Sequence, residues 1–238
     1  MPDTGFAKAF KRDIGKEDEL AKQEWPATAY STVLMNDARR KIFLYLCSHP
    51  ASHLRAVAKH HNMSATTASW HLRKLVSGGF ILKHNLKKKS VFYPTGLLDQ
   101  EEVELFSLLS TDGYREIFAY ILAHPGLHQK SLSEAMGVAH QNVMFLVKRL
   151  LDMGLVSRLT DGKYRRYYPT DHMSKMADES RVRKKQFRLD ALTMLKRDGL
   201  GPKLVRRTDN YLLVDISVGA NVERIKLDTN PYVSVLGD

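Results

Sequence analysis

Apolar positions along residues 34–95 mark three helices followed by a stretch of alternating, extended pattern. Asn36 or Asp37 can cap the first helix, whose apolar positions Ile42, Phe43, Tyr45 and Leu46 precede the break at Pro50. Leu54, Val57 and Ala58 share one face of a shorter helix over about 54–61, which ends at Asn62. The third helix opens at Ser64, a good N-cap, and runs to about Val76. At about 100° per residue, Ala68, Leu72 and Leu75 fall on one side of it and Thr66, Trp70 and Arg73 on the other. Gly78 and Gly79 end that helix. Residues 80–85 and 90–93 then read as two strands joined through Lys87, Lys88 and Lys89.

The same pattern occurs a second time, in register and 75 residues further on. Leu34, Asp37, Arg40, Ile42, Phe43, Tyr45, His49, Pro50 and His53 recur as Leu109, Asp112, Arg115, Ile117, Phe118, Tyr120, His124, Pro125 and His128. Leu75, Gly79, Lys88, Tyr93, Pro94 and Thr95 recur as Leu150, Gly154, Lys163, Tyr168, Pro169 and Thr170. A match running unbroken through helices and turns means two copies of one module. Gly137 stands where the first copy has Asn62, and these are the two residues that most readily take the left-handed conformation closing a helix.

Between the copies, Leu97, Leu98, Val103, Leu105, Phe106, Leu108 and Leu109 alternate with Asp99, Glu101, Glu102 and Glu104, an acidic amphipathic helix. After Thr170 one helix is expected over about 172–197, carrying Arg181, Arg183, Lys184, Lys185 and Arg188 beside Val182, Leu189, Leu192 and Leu195. Gly199, Gly201 and Pro202 break the chain, and 211–218, 222–227 and 232–236 read as strands. So little sheet cannot bury a core alone and must pack on the modules or pair with a second copy. The predicted organisation is an arm over 1–33, a module over 34–95, the acidic helix over 96–109, a module over 110–170, a basic helix over 171–200 and a β element over 201–238. The fold class is mainly α with small β wings, an α+β chain.

Charge narrows the function. The net charge is +11, and residues 37–95 hold eleven Lys and Arg against one carboxylate, Asp37. So one-sided a composition predicts a polyanion-binding surface, with an acidic partner protein as the alternative. No apolar run approaches the roughly 20 residues of a membrane helix, and the acidic N-terminus lacks a secretory apolar segment. The expectation is a soluble protein of the cytoplasm, associated with the nucleoid and not with membrane. Cys47, among Ile42, Phe43, Tyr45 and Leu46, is expected to be a core thiol, a redox sensor being the alternative. The His49/His53 and His124/His128 pairs are the best metal candidates, but Pro50 and Pro125 interrupt the helix that would align them, so no metal and no cofactor is expected. No phosphate-cradling loop, nucleophile elbow or carboxylate pair stands in a convincing context, so no catalytic residue is assigned and an enzyme is not expected.

Residues 64–75, SATTASWHLRKL, resemble the recognition helix of ArsR- and MarR-like winged helix-turn-helix regulators. The run from His124 to Gly154, followed by Asp161 to Pro169, is similar to winged-helix regulators of the archaeal type. The resemblance covers about 34–170 and implies a DNA-binding transcriptional regulator. It places Ser64, Thr66, Thr67, Ser69, Trp70, Arg73 and Lys74 at the major groove, with Arg73 the best candidate for a guanine contact and Lys74 for phosphate. Lys87, Lys88 and Lys89 would hold the backbone or minor groove from the wing. For Trp70 the alternative is packing against the first or the interrepeat helix.

The second copy departs from this pattern. Its counterpart helix reads Ala139 to Leu150, lacks the Ser64 cap, and is apolar all round from Val143 to Val147, which predicts burial on every side. Gln141, Asn142, Phe145, Lys148 and Arg149 are its DNA candidates, with Lys163, Tyr164, Arg165 and Arg166 on a wing turned at Asp161–Gly162. This module is expected to take a greasier DNA contact or to dock on protein. The basic helix offers more backbone contact or a dimer surface, and the acidic helix should face away from phosphate. Three functions remain: a sequence-specific regulator of double-stranded DNA, a sequence-tolerant chromatin protein, and a scaffold docking the transcription machinery or a chromosome complex. A homodimer would form through the C-terminal helix or β element.

Overall fold

In the computed structural model, which describes residues 32–86 and 89–236, the Asn36 side chain accepts from the Arg39 amide at 3.1 Å and opens α1 (Asp37–Ser48). The chain continues through β1 (Ser52–His53), α2 (Leu54–His60), α3 (Ala65–Ser77), β2 (Ile81–Leu86) and β3 (Lys89–Pro94). Asn62, at φ +49°, makes the turn between α2 and α3. The strands form an antiparallel sheet in the order β1-β3-β2, with Ile81 opposite Pro94 and Leu86 opposite Lys89. Ile42, Phe43, Leu46 and Cys47 turn one face of α1 inward, and Phe43 meets Phe80 edge-on at 5.9 Å. Burial pushes the Cys47 thiol well above its ordinary pKa, which suits a core thiol.

Asp99 and Glu102 form a reciprocal capping box at the start of α4 (Gln100–Leu109), the link between the modules. The second module repeats the first: α5 (Asp112–Ala123), β4 (Leu127–His128), α6 (Gln129–Met136), α7 (His140–Asp152), β5 (Val156–Asp161) and β6 (Tyr164–Pro169), with sheet order β4-β6-β5. Gly137, at φ +63°, takes the place of Asn62.

The C-terminal third differs from the sequence expectation in three places. The helix expected over 172–197 is two, α8 (His172–Glu179) and α9 (Arg181–Arg197), parted at Ser180 without Gly or Pro. Ser180 is buried there, with its hydroxyl on the Ala177 carbonyl at 2.9 Å. The β element is an antiparallel sheet of β7 (Lys203–Arg207), β8 (Tyr211–Val218) and β9 (Asn221–Asp228), so its first strand lies upstream of the predicted ones. The run predicted as the last strand is instead a helical turn, α10 (Val233–Leu236), because Tyr232 leaves the sheet to enter the core beside Phe106, ring centroids 5.1 Å apart.

Ion pairs fix this third to the modules. Arg40 of α1, 3% exposed, donates to Glu223 of β9 at 2.6 Å and to the Leu34 carbonyl at 3.0 Å. Its counterpart Arg115 pairs locally with Asp112 at 2.6 Å and, among the described residues, has no such cover. Asp198, fully buried after α9, accepts from the backbone N–H groups of Val33 at 2.9 Å and Leu34 at 2.5 Å. Glu102, expected on a solvated acidic face, is 1% exposed. It accepts from Arg183 at 2.6 Å and from the Tyr232 hydroxyl at 2.6 Å. Arg183 also reaches Asp99 at 2.9 Å. Helix α4 is therefore neutralised by α9 along that side.

Candidate nucleic-acid interface

The first recognition helix is built from its cap outward. The Ser64 hydroxyl accepts from the Thr67 amide at 3.0 Å and lies 2.8 Å from the Thr67 hydroxyl, so Thr67 is partly engaged in the cap. Ala68, Leu72 and Leu75 are buried, and this anchors the helix with its other face outward. On that outer face Thr66, Thr67, Trp70, Arg73 and Lys74 are exposed and Ser69 is half-buried. Trp70 lies at the edge of the packed face. Its ring is 45% exposed, yet the Arg39 guanidinium of α1 lies 5.9 Å from its centroid and His71 meets it edge-on at 4.9 Å. Burial, then the Arg39 charge, holds the His71 imidazole below its ordinary pKa, which favours a neutral ring beneath the tryptophan. Arg39 escaped the sequence reading. Its signal was the repeat itself, which places Tyr114 at the same position beside Phe145, ring centroids 6.4 Å apart.

On the first wing Lys83 and Lys89 are exposed, while Lys87 and Lys88 lie outside the described residues. On the second, Gly162 at φ +57° completes a tight turn in which Asp161 pairs with Tyr164. Lys163 sits 5.3 Å over the Tyr164 ring, Tyr164 stacks on His128 at 4.9 Å, and Arg165 is exposed. Arg166 is turned inward. It donates to Asp161 at 2.7 Å and to the Gly126 carbonyl at 3.0 Å, bracing the wing base, and the Asp161 hydrogen bond raises its pKa.

Helix α7 corrects the expectation of burial on every side. Val143, Val147 and Leu150 are buried, but Met144 is 51% and Phe145 69% exposed. The helix packs on α5, α6 and β5 through one face, and Met144 and Phe145 stand exposed on the other, with Tyr114 beside Phe145. Gln141, Asn142 and Lys148 stand on that open face with Phe145, while Arg149 is half-buried. Ala139 provides no side-chain cap.

Much of the basic helix is committed internally, which removes part of it from any backbone contact. Lys184 reaches the Ala177 carbonyl at 2.9 Å and Asn230 at 3.3 Å, and Arg188 the Asp209 carbonyl at 2.9 Å. Burial lowers the Lys184 pKa, with Glu102 opposing. The buried stripe of α9 is Phe187, Ala191, Met194 and Leu195, while Val182 and Leu189 are 80% and 47% exposed. Lys184 and Arg188 are buried on the same helix, 8% and 7% exposed. Arg181 and Lys185 remain exposed. The histidine pairs serve local structure: His53 Nδ1 lies 3.2 Å from the Ser90 carbonyl, and His128 Nδ1 accepts from the Ser131 amide at 3.1 Å. Among the described residues no group of three or more His, Cys, Asp or Glu is placed to hold a metal ion. No described helix is long and apolar enough to cross a membrane.

Comparison with known proteins matches residues 35–81 to the winged helix-turn-helix DNA-binding family and residues 114–166 to the MarR family. Both segments are winged helix-turn-helix modules, the second MarR-like. An uncharacterized HTH-type transcriptional regulator of Methanocaldococcus jannaschii is 29% identical over 143 residues, 60% of this chain. The chain spans only 36% of that relative's length. Among solved structures, the transcriptional regulator SlyA is 26% identical over 38% of this chain and 64% of its own, with a TM-score of 0.28. ScpB from Mycobacterium tuberculosis is 18% identical over 63% of this chain and 94% of its own, with a TM-score of 0.23.

Proposed function

We propose that this chain is a transcriptional regulator that binds double-stranded DNA with sequence preference, α3 entering the major groove. The observation carrying this reading is the outer face of α3, where Thr66, Trp70, Arg73 and Lys74 stand exposed over the buried Ala68, Leu72 and Leu75. Arg73 would read guanine, Lys74 and Lys89 would hold phosphates, and the single carboxylate of residues 37–95 leaves that attraction nearly unopposed. The relative's description as an HTH-type transcriptional regulator supports the same reading. In the second module Gln141, Asn142, Phe145 and Lys148 would lie against the duplex, with Lys163 and Arg165 on its backbone. The test is selection from a randomised duplex library at about 150 mM salt, where weak phosphate-only binding is screened. Recovery of a motif supports a regulator. Binding without enrichment favours a chromatin-like coat.

A second reading concerns α7 alone. The exposure of Met144 and Phe145 fits a protein-docking helix, with α3 still on DNA. A recovered motif long enough for one module only, unchanged by Phe145→Ser, would favour it. A homodimer, formed across the outward Val182 and Leu189 or the exposed edge strand β7, would appear as a motif with two half-sites.

A further inference from the structure

A cleft of about 620 Å³ opens where α1 and α2 of the first module face the start of α5 in the second, with the turn at Ser234 and Val235 as its third wall. That volume is within the range of small-molecule sites, roughly 300–1,000 Å³. None of the recognition-helix or wing residues assigned above lines it.

Its basic side chains come from both modules. Lys59 and His60 come from α2, His49 from the end of α1, and Arg115 from α5. Tyr45 organises the first module's share: its ring stacks on His49 at 4.7 Å and lies 4.2 Å from His60. Asp112 is the cleft's carboxylate, and it pairs with Arg115 through one oxygen at 2.6 Å. Lys59 has no ion-pair partner among the described residues. His49 is held below its ordinary pKa by burial and by the neighbouring charges of His60 and Arg115, so cations from two modules act on one space.

The repeat supplies an internal comparison. The second module keeps the stacked pair as Tyr120 and His124, 4.6 Å apart, so that pair belongs to the shared way of ending this helix. It replaces Lys59 and His60 with Glu134 and Ala135. Lys59 and His60 therefore occur only in the first module, although the fold does not require them there. Arg115 lines the cleft, whereas its counterpart Arg40 is covered by Glu223.

We infer that this cleft binds a small phosphorylated anion, its phosphate held by Lys59, His60 and Arg115 and the rest of the molecule lying along Tyr45, Phe106 and Leu109. An ammonium and a guanidinium lining one cleft suit a phosphate group, and the volume leaves room beyond the phosphate itself. Such a ligand touches both modules at once.

Calorimetric titration of the full chain with inorganic pyrophosphate tests this. Saturable binding of one anion per chain is expected. The double variant Lys59→Glu/His60→Ala carries the residues the second module uses at these positions and should fold normally; it is expected to bind at least about tenfold more weakly. Arg115→Gln, from the opposite wall, should weaken binding in the same direction. The double variant's preference for a selected motif over random duplex, measured alongside, should equal that of wild type, because neither residue stands on a recognition helix or wing. A chain that binds no DNA at all would overturn the function proposed above and leave the pyrophosphate result standing. Absence of saturable binding up to about 10 mM, equal binding by the variants, or one-for-one displacement of pyrophosphate by duplex would overturn the site.

Discussion

Phe145 stands on α7 at the position Trp70 holds on α3, 75 residues earlier, and both rings point outward, 69% and 45% exposed. Each has a residue of the module's first helix beside it, Arg39 for Trp70 and Tyr114 for Phe145. Such exposed rings contribute little to stability, so Phe145→Ser is expected to change unfolding free energy by less than about 0.5 kcal/mol. If α7 lies on the duplex, the same change weakens DNA binding. Urea unfolding and fluorescence anisotropy on one preparation check both halves, and an unaltered DNA affinity would place α7 off the DNA.

The two cations at the second wing tip and the arginine at its base should behave differently. Lys163 and Arg165 are exposed, so replacing both with Ala should flatten the salt dependence of duplex binding, by up to about 0.9 for each phosphate no longer neutralised. Stability should hardly change. Arg166→Ala should instead loosen the wing, since it removes the bonds to Asp161 and the Gly126 carbonyl. A salt slope unaffected by the first variant would take this wing off the phosphate backbone.

Glu102 joins three parts of the chain. Removing it leaves Arg183 and the Tyr232 hydroxyl without their short partners. Because Arg183 is 30% exposed, part of its loss is recovered by water, and Glu102→Ala is expected to cost about 2–4 kcal/mol. The midpoint of urea unfolding measures this. A loss under about 0.5 kcal/mol would mean the network does not hold α9 and the C-terminal turn to α4.

Acid should weaken the fold before the carboxylates titrate. His49, His61 and His71 are all held below their ordinary value of 6.5, chiefly because burial disfavours the charged ring. On acidification the unfolded chain takes up these protons first, so below about pH 6.5 stability falls with pH. Tm recorded between pH 7.5 and 5.5 should decline over the lower part of that range. A flat profile would contradict the burial argument.

Features set by local chemistry were legible in the sequence. The caps at Asn36 and Ser64, the left-handed turns at Asn62 and Gly137, and the small core face of α3 each depend on residues within one or two turns of the chain. The repeat then made the second module readable from the first. What could not be read depends on distant partners. Glu102 looks like a solvated acid until Tyr232, 130 residues away, supplies its hydrogen bond. Met144 and Phe145 read as buried because an apolar run does not reveal that only one face of α7 is packed. The 232–236 run has strand-forming residues, but the pull of Tyr232 into the core outweighs that preference. On the candidate interface, sequence chose the outward residues of α3 but missed Arg39, whose relation to Trp70 is made between two helices.

Guanine-N7 protection from dimethyl sulfate, on a duplex bound by wild type and by Arg73→Ala, tests the central claim most directly, because N7 lies in the major groove. A protected guanine that becomes reactive in Arg73→Ala is expected, with affinity for the preferred duplex falling by about 1–3 kcal/mol and affinity for random duplex falling much less. Binding that protects no N7, or equal losses on preferred and random duplex, would contradict a recognition helix in the major groove.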